Sequence, residues 1–365
     1  MLTIILFLII LSVLVAVHEA GHLVLAKWVG ARVKEYAIGF PPRIFSKQMG
    51  ETKYSLNATP LGGYVNIAGE EGVDDPNEAD IPMGEKLSAK HPLKKIAVLA
   101  AGVFANVVLA WLLISVTLMM GSYESVLTTD PLPADAKVII LGISPGSPAA
   151  KIGLMPADEV LRVSSFEKSI KPKTADELVA FLSGHQEEKV TLRVLRNGAE
   201  KEFKDIQAAG GIVEGKKALG IGIDTVVKKS YPFFTALYKG LGITGNTIKI
   251  ITVSAGRALW NIAQGKGGLG EVAGPVGIGK IVGEVRSLGL VSVITFAAFL
   301  SINLAIINIL PFPALDGGRI LFTVFEWVAG KPVPTKISRA VHGAGFAILI
   351  FLMIVVTIHD IKQLF

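Results

Sequence analysis

Apolar residues collect in four long stretches without Asp, Glu, Lys or Arg, at residues 2–17, 96–120, 288–315 and 341–358. A helix needs about 20 apolar residues, with a range of about 17–25, to cross the hydrocarbon core of a bilayer. The second and third stretches reach this length, the fourth does so narrowly, and the first does so if its helix continues beyond residue 22. The pattern therefore predicts a polytopic α-helical membrane protein with four transmembrane helices, at 1–30, 94–121, 288–327 and 338–360.

The first stretch has an alternative interpretation as a cleaved signal peptide. No Lys or Arg precedes it, and no A-x-A cleavage site follows it, so a retained span is the favoured prediction.

The polar parts of the chain predict three further regions. Residues 31–93 are rich in glycine and strand formers, which favours a cytoplasmic β-hairpin or re-entrant loop. Residues 126–228 alternate strand-like runs with turns and hold a helix near 174–182 with Thr174 as its N-cap, which predicts an inserted small α/β domain. Residues 229–287 predict an amphipathic helical linker of the kind that lies on a membrane surface.

Composition and charge narrow the class of protein. Hydrophobic residues make up 51% of the chain, more than a soluble domain usually carries. The net charge of +6 falls largely in loops that flank the spans, and no nucleic-acid-binding motif occurs, so no nucleic-acid partner is expected. The chain has no cysteine, so a zinc ion would have to be held by His, Asp or Glu.

The distribution of Lys and Arg predicts the orientation. Ten of them lie between residues 27 and 95, more follow the third stretch, and none precedes the first stretch. The positive-inside rule places these two loops in the cytoplasm, and therefore places both chain ends and residues 122–287 on the opposite side. In a bacterium that side is the periplasm, and the membrane is the inner one.

The motif H18-E19-A20-G21-H22 supplies candidate chemistry at the end of the first stretch. On a helix, His18 and His22 project from one face and can bind the same ion, while Glu19 lies beside that face and can act as general base. Zinc lowers the pKa of a bound water toward about 7, which supplies a nucleophile for hydrolysis. Ionisable residues within an apolar helix raise the free energy of membrane insertion. Their presence at this spacing therefore indicates that they have a function.

A catalytic zinc usually takes a third protein ligand, and Asp316 is the best candidate. Leu25 and Trp28 stand where a metzincin extension needs Gly and His, and glutamates in the polar loop 31–93 lack a helical motif. The alternative is that Asp316 only caps a short helix. However, the first and third stretches both run inward, so His18 and Asp316 are predicted to reach the same depth near the cytoplasmic boundary.

The combination of motifs resembles the site-2 protease family, peptidase family M50, of the bacterial type known as regulator of sigma-E protease. The resemblance rests on HEAGH in the first span, on N308-I-L-P-F-P-A-L-D-G-G-R319 in the third, and on an inserted region with a P-G-S-P-A-A-K-I-G-L pattern that resembles a bacterial PDZ domain. Matches at 38–40, 62–64, 101–106 and 274–277 support it. Well-known members carry two tandem PDZ domains, whereas this chain has room for one.

The resemblance implies a zinc metalloendopeptidase with one Zn²⁺ per chain that performs regulated intramembrane proteolysis. The implied substrates are single-span membrane proteins, namely anti-sigma-factor-like proteins already trimmed by an upstream site-1 protease, and remnant signal peptides. The implied substrate-binding residues are Asn303, Asn308, Gly62, Gly63 and Tyr64. A PDZ domain binds peptide at an exposed sheet edge, and the candidate groove residues are Leu219, Gly220, Ile221, Gly222 and Ile223.

Two other classes of function stay open at this stage. One is a catalytically inactive membrane scaffold that presents a PDZ domain, although the candidate ligands and the base are all present. The other is a metal transporter, which would need polar residues along several spans rather than at one depth.

Overall fold

The computed structural model describes residues 2–70, 78–126, 132–144, 146–166, 168–196, 198–213, 216–264, 274–331 and 333–364. The chain divides into two compact units. The first combines Met1–Val116, Phe234–Arg286 and Ser292–Phe365, and the second combines Thr117–Phe233 with Ser287–Val291.

The described helices, in chain order, are α1 (Leu2–Trp28), α2 (Pro92–Met120), α3 (Pro148–Lys151), α4 (Ala175–Gly184), α5 (Phe233–Ala263), α6 (Pro275–Ser287), α7 (Leu290–Ile309), α8 (Asp316–Ala329) and α9 (Thr335–Leu364). The described strands are β1 (Val33–Met49), β2 (Thr52–Ile67), β3 (Ser122–Ser125), β4 (Lys137–Ile143), β5 (Glu159–Ser164), β6 (Ser169–Ile170), β7 (Lys189–Arg196), β8 (Ala199–Gln207), β9 (Ala209–Val213), β10 (Lys216–Ala218) and β11 (Ile221–Lys229).

Four of the described helices, α1, α2, α7 and α9, are long and apolar enough to cross a bilayer, as the hydropathy pattern predicts. Large apolar side chains on these helices are exposed, among them Ile4, Val24 and Phe351, which suits a surface covered by lipid. The third predicted range, 288–327, contains two helices rather than one. Pro311 and Pro313 lie between α7 and α8, where a residue without a backbone N–H interrupts helical hydrogen bonding.

The C-terminal end of α1 is closed by a glycine turn that directs the chain into β1. Gly30 has a φ of +72°. The backbone N–H of Ala31 donates to the carbonyl of Ala26 at 2.8 Å, and that of Gly30 donates to Lys27 at 3.0 Å. These two hydrogen bonds form a Schellman motif, which favours glycine at the left-handed position. The turn ends the helix soon after the two histidines.

Strand β1 pairs with two different segments of strand β2. Near the start of β1, Tyr36 pairs with both Val65 and Tyr54 of β2, so this segment lies between two segments of the same partner strand. Beyond Phe40, β1 pairs again with the first part of β2. Tyr36 also donates a hydrogen bond to the carbonyl of Ala16 at 2.9 Å, which fixes the sheet beside α1.

The second unit is built around a seven-stranded sheet with the order β3-β11-β4-β5-β7-β8, in which β6 pairs with β5. Its core contains fully buried Ile140, Leu178 and Leu192. The predicted helix at 174–182 is α4, and the Thr174 hydroxyl accepts a hydrogen bond from the backbone N–H of Glu177 at its N-terminus. The sheet begins at Ser122, slightly before the predicted range 126–228, of which residues 127–131 lie outside the described parts.

The predicted linker, 229–287, contains α5 and α6 within its described parts. The Trp111 indole N–H of α2 donates to the Leu237 carbonyl of α5 at 2.8 Å. The carboxylate of Asp360 in α9 accepts a hydrogen bond from the backbone N–H of Gly277 at 2.8 Å, at the first turn of α6. An acidic side chain at this end of a helix is favourable, so Asp360 anchors α6.

Candidate metal centre

Two imidazoles from α1 meet one carboxylate from α8. His18 and His22 are buried, and Asp316 is the first residue of α8. The Nε2 atoms of the two histidines are 3.2 Å apart. Oδ2 of Asp316 is 3.1 Å from Nε2 of His18 and 3.3 Å from Nε2 of His22. The structure thus brings together the three residues that the sequence predicts as ligands.

The triangle of these three atoms matches one face of a zinc site. Zinc binds imidazole nitrogen at about 2.0–2.1 Å and carboxylate oxygen at about 2.0–2.2 Å in a tetrahedral arrangement, which separates neighbouring ligand atoms by about 3.3 Å. The three separations in the structure lie at or just below this value. Oδ2 of Asp316 is buried and makes no aligned hydrogen bond within the described residues, so it lacks the partner that a buried carboxylate needs. The residues therefore fit a zinc ion.

Helix α2 orients both imidazoles through contacts with their Nδ1 atoms. Nδ1 of His22 is 2.8 Å from the carbonyl of Val98, an acceptor, so this nitrogen carries the proton. Nε2 is then left free to bind metal. Nδ1 of His18 lies 3.2 Å from the side-chain amide of Asn106, which is fully buried. A metal on Nε2 would leave the proton on Nδ1, and the oxygen of the Asn106 amide would accept that proton after a half-turn of the amide.

Gly102 of α2 provides the space in which the two imidazoles meet. A Cβ atom at this position would lie 2.3 Å from Nε2 of His22 and 2.8 Å from Nε2 of His18. No side chain can be accommodated there without displacing a ligand. Gly102 and Asn106 are four residues apart and therefore lie on one face of the helix.

A cavity of about 560 Å³ opens beside the triangle. Glu19 lines it together with His18, His22 and Asp316, so the predicted base faces the same space as the predicted ligands. Opposite them, the chain of β2 passes close to α1: a Cβ atom at Gly63 would lie 3.4 Å from Cγ of Glu19. The arrangement can hold a metal, a water molecule and an extended peptide in one place.

Comparison with known proteins identifies the family of this chain. The profile of peptidase family M50 matches residues 6–352. The chain belongs to peptidase family M50. A putative zinc metalloprotease of Clostridium perfringens is 35% identical over 351 residues, which cover 96% of each protein. Zinc metalloprotease RasP of Geobacillus kaustophilus is 30% identical over an alignment that covers 100% of this chain and 98% of its own length.

The relatives and the spans agree on the class of enzyme. This M50 protease is a zinc metalloprotease of the site-2 type and a multi-pass membrane protein, because the family match and the similarity to named zinc metalloproteases both extend over nearly the whole chain and four helices could span a bilayer.

The predicted substrate-binding residues of the M50 protease separate into two groups. Gly62, Gly63, Tyr64 and Asn308 line the cavity, and the side-chain nitrogen of Asn308 is 3.5 Å from Nε2 of His18. Asn303 is not among the residues that line it; its amide donates to the Phe299 carbonyl one turn back in α7 at 2.8 Å.

Tyr64 keeps its phenolic proton at neutral pH. Burial raises the pKa of its hydroxyl above the ordinary value, and the nearby Glu35 carboxylate acts in the same direction.

The sequence alone assigns no role to several residues that support the metal centre. Besides Val98, Gly102 and Asn106, these are the acidic and basic residues around the loop after β2. Buried Glu78 accepts hydrogen bonds from Lys34 at 2.6 Å and from the backbone N–H of Gly69 at 2.7 Å. Glu70 forms an ion pair with Arg319 of α8. The sequence does contain a signal for Asn106. A polar residue four positions after a glycine within an apolar span indicates a contact inside the protein.

The predicted peptide-groove residues lie at the start of β11 and just before it. β11 pairs with β4 from Ile221 to Val226, but with β3 only from Val226 onward. Within the described residues, the β3-facing edge of β11 from Ile221 to Asp224 has no strand partner. Helix α4 begins next to this edge, since the backbone N–H of Ala175 donates to the Thr225 hydroxyl at 2.8 Å.

Proposed function

We propose that this M50 protease hydrolyses peptide bonds within membrane-embedded segments of single-span proteins, with zinc held by His18, His22 and Asp316 and with Glu19 as general base. The observation that carries the proposal is the triangle of two Nε2 atoms and one Oδ2 atom with sides of 3.1–3.3 Å. A transporter or scaffold would not require this geometry beside a carboxylate and a peptide-sized cavity.

The chemistry divides between the ion and the protein. Zinc bound at the triangle would supply Lewis-acid chemistry that lowers the pKa of water toward about 7. Glu19 accepts the proton of the attacking water and delivers it to the amine of the departing peptide. Asn308, whose amide nitrogen lies 3.5 Å from Nε2 of His18, donates a hydrogen bond toward the carbonyl oxygen of the bond that is cut.

The substrate is held as an extended strand against β2. The segment Gly63–Ile67 pairs with β1 on one side, and no strand of the described chain pairs with its other side. It lines the cavity next to Glu19. A helical peptide bond is shielded by its own turn, so a membrane segment has to unwind before attack, and an open strand edge satisfies the backbone groups that unwinding exposes.

The substrates are single-span proteins that reach the cavity from the lipid bilayer. Anti-sigma-factor-like proteins, first shortened by an upstream site-1 protease, and remnant signal peptides form the two classes. The proposed zinc ligands lie on or directly after predicted spans, which supports a cut within the membrane near its cytoplasmic face. The positive-inside argument supports a bacterial inner membrane with both chain ends and residues 122–287 in the periplasm.

A single PDZ domain at 126–228 selects among these substrates. The edge of β11 from Ile221 to Asp224 has no strand partner among the described residues, and this edge and the adjoining helix α4 support a peptide groove that includes Leu219 and Gly220. A peptide added at this edge would be recognised mainly through its backbone.

The proposal is tested by measuring, for the wild type and for each variant, both the cleavage of a reporter transmembrane segment and the amount of bound zinc. Glu19→Gln should keep zinc and lose cleavage by about 10²-fold or more, because a general base contributes about 10²–10⁴-fold. Asp316→Asn should lose both zinc and cleavage. Glu187→Gln, a matched change at an exposed position of the second unit, should alter neither.

The outcome also separates the other classes of function. A scaffold would bind no zinc in the wild type, and metal transport would survive Glu19→Gln. Activity retained in Glu19→Gln, or a cut site mapped outside the bilayer, would contradict the proposal.

A further inference from the structure

The segment that delivers Asp316 to the histidines is short and held in an unfavourable conformation. It runs from Leu310 to Leu315 between α7 and α8 and contains two prolines. Ala314 has a φ of +78°, an energetically unfavourable conformation that residues other than glycine seldom adopt. Such a conformation persists only when surrounding contacts hold it, so the contacts of this loop determine where Asp316 lies.

Helix α9 supplies a hydrogen bond to the loop. Nδ1 of His342 accepts the backbone N–H of Ala314 at 3.0 Å. His342 is half-buried, and its ring packs against Phe322 of α8 with ring centroids 5.2 Å apart. The histidine therefore touches the loop two residues before Asp316 and also touches the helix that Asp316 begins.

The same face of α9 supplies a steric contact one turn further on. Gly345 follows His342 by three residues, so the two lie on one side of the helix. A Cβ atom at Gly345 would lie 2.5 Å from the carbonyl oxygen of Pro313 and 2.5 Å from its Cβ atom. Gly343, two residues earlier, has nothing within 4 Å of the same position. The loop thus lies directly against the backbone of α9 at Gly345.

We propose that α9 is a positioning element of the metal centre, in which the His342 hydrogen bond and the Gly345 contact fix the loop Leu310–Leu315 and thereby the distance of Asp316 from the two imidazoles. His342 and Gly345 act on the metal centre through their contacts with Ala314 and Pro313. The inference rests on the proposed role of Asp316 as a zinc ligand. It assigns to the fourth span a function in metal binding that its apolar sequence does not indicate.

Two pairs of variants test the inference in the detergent-solubilised full chain, with zinc affinity measured by chelator competition. Gly345→Ala should weaken zinc binding by about 10–100-fold, the range typical of lost supporting contacts around metal ligands, whereas Gly343→Ala should bind zinc as the wild type does. His342→Phe keeps the ring but removes the acceptor, so it should weaken binding in the same range. His342→Asn, whose side-chain oxygen can replace Nδ1, should restore it.

Each outcome has a separate meaning when Asp316→Asn is measured alongside. If Asp316→Asn loses zinc while Gly345→Ala and His342→Phe retain wild-type affinity, the role of α9 is wrong and the metal centre stands. If Asp316→Asn binds zinc as tightly as the wild type, the metal centre itself is wrong. Thermal unfolding of each variant shows whether the chain is folded, and if Gly345→Ala fails to fold, the comparison of His342→Phe with His342→Asn decides. Equal affinity in that pair would overturn the inference.

Discussion

Asn106 shows how a single polar residue is used inside an apolar helix. Its side chain is completely buried in α2, where an unpaired amide would cost about 1–3 kcal/mol. It lies against Nδ1 of His18, and its backbone carbonyl accepts a hydrogen bond from the Ser301 hydroxyl of α7 at 2.8 Å. The residue therefore links the helix that carries the histidines to the helix that leads toward Asp316.

Substitutions at Asn106 test which atom of its amide faces the metal ligand. Asn106→Leu should weaken zinc binding by about 10–100-fold, because the imidazole of His18 loses the partner that fixes its orientation. Asn106→Asp should retain much of the affinity, since a carboxylate oxygen accepts from Nδ1–H as the amide oxygen does. Chelator competition with the purified protein measures both.

Asn303→Leu is the matched control, because Asn303 lies in a membrane-spanning helix but bonds only within its own helix in the contacts described above. It should leave zinc affinity unchanged. If Asn106→Asp binds zinc as poorly as Asn106→Leu, the amide does not act as an acceptor toward His18.

An ion pair connects the end of the β-sheet region to the helix that begins at Asp316. Glu70 follows β2, and Arg319 lies in the first turn of α8. The side chain of Glu70 is 15% exposed and that of Arg319 is 39% exposed, so the pair is shielded from water only in part. Glu78 reinforces the same region by anchoring Gly69 and Lys34.

A double-mutant cycle at this pair measures the connection. Glu70→Gln and Arg319→Gln should each lower the free energy of unfolding, and the two effects should be less than additive by about 0.5–3 kcal/mol, the range for residues in contact. Chemical denaturation in detergent micelles provides the measurement. Additive effects would mean that the pair does not couple β2 to α8.

Two of the proposed ligands could be predicted from the sequence, because their arrangement depends on spacing along one helix. His18 and His22 are one helical turn apart, and counting residues along two spans that were predicted to run inward predicted the same depth for Asp316. His342, Gly345 and Glu78 could not be predicted, because each acts on a chain segment that only the tertiary fold brings near. The φ of Ala314 has no signal in the sequence, since alanine seldom adopts it, and Pro311 with Pro313 indicated only that the helix would be interrupted.

The second unit can be shortened without disturbing the strands that lead into it. Ser125 of β3 pairs directly with Val226 of β11, and Ser122 pairs with Lys229. Opposite residues of an antiparallel pair have Cα atoms about 4.5–5.5 Å apart, so a two-residue turn can join them. Replacing residues 126–225 by Asn-Gly should therefore leave a closed hairpin and leave the histidines, Glu19 and Asp316 untouched.

If the second unit selects substrates and the metal centre performs hydrolysis, this shortened chain should still cut a reporter transmembrane segment. It should also cut reporter segments that the full chain cuts slowly, because the proposed peptide groove at Ile221–Asp224 is removed while all proposed catalytic atoms remain. Rates on a panel of reporters that differ only in the peptide sequence flanking the transmembrane segment provide the measurement, with zinc content as the control for an intact centre. A shortened chain that holds zinc but cuts no reporter would show that the second unit takes part in hydrolysis itself, and unchanged preference across the panel would remove its role in selection.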